Sequence, residues 1–139
     1  MNLPKPSMST HALAFMMAAL VFLGFGIALG LYMAATDDHS LSPVHAHLNL
    51  LGWVSCAIQG LFHAQMRDLS SKRIMRWQFI AYVGGVVLMM IGLAGVLRAD
   101  ERLAMLIAPG TMATLAGLAL FAWFVLKAFS ASRAAEARD

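Results

Sequence analysis

Four stretches of this chain carry no Asp, Glu, Lys or Arg: residues 6–36, 39–66, 77–97 and 103–126. Crossing a bilayer as a helix takes roughly 20 mostly apolar residues, and every stretch is long enough. The pattern predicts an all-α integral membrane protein with four transmembrane helices in a single domain over residues 1–139. Composition agrees. Charged residues make up 12% of the chain, against about 25% in soluble domains. The single Cys56 excludes a disulfide scaffold and a paired-cysteine zinc finger. An apolar share of 60% excludes a disordered chain. The net charge of +3, from 10 basic and 7 acidic residues, lies between and beyond the apolar runs. It reads as membrane topology, with no nucleic-acid partner expected. Lys5 before an apolar run superficially resembles a signal peptide, but an h-region is only about 7–15 residues long, so retention is expected.

Basic residues set the orientation. With both termini in the cytoplasm, Lys5, Arg67, Lys72, Arg73, Arg76, Lys127, Arg133 and Arg138 lie inside, and only Arg98 and Arg102 lie outside. The acidic Asp37–Asp38 loop then faces outward. The helices are expected at about 9–35, 43–66, 76–97 and 103–130, with connections short enough to force an up-down-up-down order. Gly26 and Gly30, then Gly84, Gly85, Gly92 and Gly95, then Gly110, Ala113 and Gly117 offer close helix approach. They read first as packing within the chain. Pro109 predicts a kink in the fourth helix. Trp77 and Tyr82 are assigned to the cytoplasmic interfacial belt. The 11 methionines are mostly apolar filler.

The second helix carries the chemistry. It opens Ser42-Pro43-Val44-His45-Ala46-His47-Leu48-Asn49, with Ser42 as expected cap and Pro43 at the first helical position. Histidines at membrane depth call for partners. Residues two apart on a helix diverge by about 160°, so His45 and His47 face nearly opposite sides. His45 shares its azimuth with Asn49, Gly52, Cys56, Gln59 and His63, while His47 heads an apolar face of Leu51, Val54, Ile58 and Leu61. His63 returns to the first side five turns later, about 27 Å away. Both histidines are candidate metal ligands, and hydrogen-bonded packing is the plain alternative. His63 and His11 are expected to reach water at the cytoplasmic end, His39 to be a loop residue beside Asp37 and Asp38, and Cys56 to be an inert small hydrophobe.

The block His45-Ala46-His47-Leu48-Asn49-Leu50-Leu51-Gly52-Trp53-Val54, continuing to Gly60-Leu61-Phe62-His63, resembles the tenth helix of subunit I in heme–copper oxidases. The likeness is closest to C-family oxidases and the related nitric-oxide reductases, and it covers about 20 residues of the chain. In that family the HxH pair serves two hemes, the first His on the high-spin iron and the second on the low-spin iron. Subunit I has three four-helix arcs, and its tenth helix is the second of an arc. The resemblance therefore implies one such arc standing alone, in a bacterial-type inner membrane. It also implies b-type heme at His45 and His47, with Asn49 alongside and Arg98 and Arg102 placed towards heme propionates. A solvated outer loop with Asp100 and Glu101 explains those arginines equally well.

The departures bear on activity. Gas chemistry in the family needs a second metal held by three further histidines, yet the third and fourth spans contain no His, Asp or Glu. One arc also cannot close a pore, whereas three copies can. The expectation is a homotrimer in which His45 of one copy and His47 of the next clasp a bis-imidazole heme for electron transfer, with an unidentified redox partner. Such an electron carrier is not expected to be an enzyme. The alternatives are a heme-dependent oxygen or nitric-oxide reductase, a copper protein aided by Met33 or Met8, and a structural assembly subunit.

Overall fold

The structure is a computed structural model that describes residues 8–66 and 72–137. Lys5, Arg67 and Arg138, three of the cations used for orientation, lie outside the described residues. Among the described residues every regular element is helical. Helix α1 spans Thr10–Thr36, and Ser9 caps it by accepting a hydrogen bond from the Ala12 amide. It stops at Asp37, whose φ of 55° is left-handed, a conformation that Asp tolerates better than most residues.

The second span is one rod with three helical registers. α2 (Ser42–His47) passes directly into a π-helical segment (Leu48–Val54) and then into α3 (Ser55–Gln65). Pro43 stands in the first turn as expected, but Ser42 does not cap it. The position before the helix is Leu41, and the Ser42 hydroxyl donates to the His39 carbonyl at 2.8 Å. The Ser55 amide still reaches back five residues to Leu50. The return to four-residue spacing therefore skips the Leu51 carbonyl. Tyr82, on the next span, donates its hydroxyl to that carbonyl at 3.1 Å, and the Ser55 hydroxyl adds a bond to Leu50. Tyr82 is thus buried, at 1% exposure, and is no part of an interfacial belt. Trp77 is exposed as expected. Tyr82→Phe leaves a buried carbonyl without its donor, and should destabilise the detergent-solubilised protein by about 1–2 kcal/mol in a thermal or denaturant titration.

α4 (Lys72–Leu97) begins before the expected boundary and takes the basic residues Lys72, Arg73 and Arg76 into its first turns. The fourth helical rod is irregular near Pro109, interrupted by a turn one helical turn before it. α5 (Glu101–Ala104), capped by the Asp100 carboxylate, gives way at Met105–Leu106 to α6 (Ile107–Glu136). Pro109 explains the position of the break. Its ring opposes the carbonyl of Met105 and it has no N–H to offer, whereas the first turn of a new helix needs none. α6 outruns its expected end because Ala131, Arg133, Ala134, Ala135 and Glu136 are all good helix formers.

Glycine contacts fix the packing. A side chain at Gly26 or Gly30 would strike Asn49 or His45, and one at Gly60 would strike Met16, so α1 and the second span run antiparallel. Gly85, Gly92 and Gly95 face Thr114, Ile107 and Ala104 in reverse order, so α4 and the fourth span do too. The α1–α2 and α4–α5 loops share one end, where Arg98 lies 3.9 Å from Asp38. The up-down-up-down order follows. Phe15, Phe22, Val44, Cys56, Tyr82, Val86, Met89 and Met90 form a core shared by the first three spans.

The outside is apolar. Met17, Leu20, Phe25 and Leu31 on α1, and Met112, Leu115 and Leu126 on α6, are all exposed. Three helical stretches, Thr10–Thr36, Lys72–Leu97 and Glu101–Glu136, are long and apolar enough to cross a membrane. The second span has the length but carries His45, His47, Asn49, Gln59 and His63, and is the most polar of the four.

Candidate functional site

His45 and His47 occupy the last turn of α2, immediately before the π segment. Their rings leave the rod on different sides. His45 is half-buried against α1, its Cε1 3.0 Å from where a Cβ on Gly30 would stand. His47 is exposed. The Gly26…Gly30 pair on α1 is therefore a notch in which a polar cluster of the second span is seated.

The tautomers follow from the hydrogen bonds. His45 Nδ1 lies 2.9 Å from the Gly26 carbonyl, and His47 Nδ1 lies 2.7 Å from the Pro43 carbonyl. A carbonyl only accepts, so both Nδ1 atoms carry a proton, and in the neutral imidazole each Nε2 is then the atom with the lone pair. Tying Nδ1–H to a backbone carbonyl is how proteins orient a ligating imidazole. Asn49 donates to the His45 carbonyl at 2.9 Å and reaches His45 Nε2 at 3.3 Å, the long limit of such bonds. The donor set thus fits an iron or copper ion taken through Nε2. Among the described residues no group of three His, Cys, Asp or Glu could hold a metal.

The remaining candidates lie on or near the loops and on α1. Arg98 pairs with Asp38. Hydrogen bonds from the Ser40 backbone N–H and then the Ser40 hydroxyl hold the Asp38 carboxyl below the usual range, with Arg98 adding to the effect. Arg102 is exposed in α5, where its amide bonds Asp100. His39 is an exposed loop residue 4.0 Å from Asp37. Met33 is buried, with its sulfur 4.0 Å from the Ser42 hydroxyl. Met8 precedes α1 at its far end, about 33 Å from Gly30 at 1.5 Å per residue. It therefore cannot join His45 of the same chain.

No family model, curated protein or solved structure matches the chain.

The opposite end of the second span holds a polar centre that sequence reading missed. His63 is 1% exposed and does not reach water. Its Nε2 donates to Gln78 Oε1 at 2.9 Å, Gln78 Nε2 donates to Gln59 Oε1, and Gln59 Nε2 donates to the Ser55 carbonyl. Phe15 stacks on the His63 ring at 5.6 Å, and Phe124 meets it edge-on at 5.1 Å. The donors of this series run from His63 towards the π segment. The available signal was the i, i+4 pair Gln59 and His63 together with Gln78, the one amide in the third apolar run. Amides pass protons poorly, so this centre pins α3 to α4.

Proposed function

We propose that the chain crosses a bilayer four times and holds a b-type heme between copies, with His45 of one chain and His47 of another as axial ligands. The supporting observation is that both imidazoles, on different sides of one rod, secure Nδ1–H to a backbone carbonyl, which in the neutral ring leaves Nε2 as the ligating atom. Opposed rings cannot clasp one metal ion within a chain, and three copies arranged as a ring give each ring a partner. The resemblance of residues 45–54 to the HxH helix of heme–copper oxidase subunit I supplies the cofactor class.

The roles of the chain's groups follow. Gly26 and Pro43 carbonyls orient the imidazoles, Asn49 holds His45 until the metal takes its place, and Arg98 and Arg102 lie at the end where propionates would emerge. A heme with two imidazole ligands supplies one-electron transfer and has no open position for a gas. The reading is therefore a membrane electron carrier. Both termini are placed in the cytoplasm and the HxH near the outer face of a bacterial-type inner membrane.

Protein purified in mild detergent from heme-replete cells should show a sharp reduced α-band. Heme should approach one per chain, and native mass should correspond to a trimer. A colourless protein overturns the heme reading. A pigmented monomer overturns the shared ligation. Copper without a Soret band favours the copper reading.

A further inference from the structure

His63 is a buried titratable group that the heme reading leaves unused, and its tautomer is set from a distance. The Ser55 carbonyl can only accept, so Gln59 turns its amide nitrogen to Ser55 and its oxygen to Gln78. Gln78 therefore offers its oxygen to His63, whose Nε2 must carry the proton. In the neutral ring the lone pair is left on Nδ1. His63 is 1% exposed, and no described residue hydrogen-bonds that atom. A buried acceptor without a partner is costly. A second imidazole stands beside it. Contacts at the glycines set the register of α1 against the second span: Gly30 opposes His45, Gly26 opposes Asn49, and Gly60 opposes Met16 and the Ala12 carbonyl. The same antiparallel register carries His11 to the level of His63. His11 precedes Phe15 by one turn, and Phe15 stacks on the His63 ring. The two imidazoles are close enough to act on each other electrostatically. His11 is half-buried in the first turn of α1, which leaves a route from the surface. From α4 comes Met75, buried and one turn before Gln78 on the same face.

We propose that His11 and His63 bind one Cu(I) ion, taken by His63 through Nδ1, with the Met75 thioether as a third donor. The donors select the metal. All are neutral, and imidazole with thioether suits Cu(I). Among the described residues no Cys, Asp or Glu completes a group of three with the two histidines. A divalent ion would therefore bring two uncompensated charges into an apolar site, and the cost of desolvating an ion rises steeply with its charge. A singly charged soft ion avoids most of that cost. Gln78, holding Nε2–H, is the outer contact that orients a ligating imidazole. The site lies at the opposite end of the second span from His45 and His47, and it is independent of heme.

The test uses the whole chain carrying His45→Ala and His47→Ala together, which removes any copper held by the HxH pair. Titrated anaerobically in detergent with Cu(I) against a chromogenic chelator, this double variant should bind about one ion per chain, and equimolar Zn(II) should not displace it. Adding His11→Ala, at a half-buried position, should weaken Cu(I) binding by at least about 10-fold with helical content unchanged. X-ray absorption at the copper edge should show imidazole scatterers and a sulfur shell, which the volume-conserving Met75→Leu removes. No Cu(I) bound by the double variant overturns the proposal, as does undiminished binding after His11→Ala. Displacement by Zn(II), or a sulfur shell that survives Met75→Leu, overturns the choice of metal and donors. A colourless wild type would overturn the heme reading and leave each of these outcomes as it stands.

Discussion

Gly110→Val is expected to be among the most damaging single substitutions in the chain, because the space it needs is already filled by backbone. A Cβ at Gly110 would stand 2.3 Å from the Met89 amide nitrogen, and one at Gly92 would stand 2.3 Å from that of Ile107. A Cβ at Gly117 would overlap the backbone of Tyr82. Flexible side chains can yield to an intruding methyl group, but a neighbouring helix backbone cannot. Relief comes only from moving α4 and α6 apart, which loses dispersion contacts along the whole seam. Overpacking a well-filled core typically costs about 1–3 kcal/mol, and a rigid obstacle places Gly110→Val at or above the top of that range. Loss of the monodisperse peak in detergent, or a strongly lowered melting midpoint, is the expected readout. Gly24→Ala and Gly84→Ala are the controls. Neither Cβ would meet anything within 4 Å, so both should be neutral or stabilise by roughly 0.5–1 kcal/mol through helix propensity. A Gly110→Val protein as stable as wild type would refute this account of the seam. A damaging Gly24→Ala would instead reveal another copy packed against α1.

The same glycines show what the sequence made legible. Charge-free runs located all four helical rods, three of them long and apolar enough to cross a membrane, and Gly92, Gly95, Gly110 and Gly117 marked a close approach, because both signals arise locally. Which helices met was a matter of tertiary pairing, so Gly26 and Gly30 could not be recognised in advance as the seat for Asn49 and His45. The register change at Leu48–Val54 was illegible for a related reason. A π segment is stabilised by what fills its spare carbonyl, and that group is Tyr82, 31 residues away from Leu51. Distance along the helix alone puts Tyr82 and His63 at an interface. Position along the rod is the wrong variable, since azimuth turns each of them inward. The azimuthal stripe itself survived the register change: Gly52, Cys56, Gln59 and His63 are all buried. Pro109 announced an irregularity, but the break falls at the carbonyl its ring opposes, one turn earlier.

His47→Ala should remove the heme band almost entirely while leaving the fold intact, and that separation gives the substitution its force. His47 is exposed, and its ring bonds the Pro43 carbonyl of its own helix. Its loss should change stability by no more than about 0.5 kcal/mol, as for other surface positions. A packing role therefore predicts a silent mutant, whereas axial ligation predicts a colourless one. His45→Ala should lose the pigment too, but with a stability penalty of roughly 1–2 kcal/mol, because the Gly26 carbonyl loses its donor and the notch is left unfilled. Gly26→Ala isolates the positioning contribution. Its methyl would stand 2.8 Å from Asn49 Oδ1, displacing the amide that holds His45 without removing either ligand. Disturbing groups that orient a metal-bound histidine typically costs about 10–100-fold in affinity, so heme titration of Gly26→Ala should show a loss in that range. Mixing His45→Ala with His47→Ala chains gives the sharpest outcome. If each iron takes one ring from each of two copies, mixed oligomers regain pigment at the interfaces where two intact rings meet. Full pigment in His47→Ala, or no recovery in the mixture, would dismantle the shared clasp.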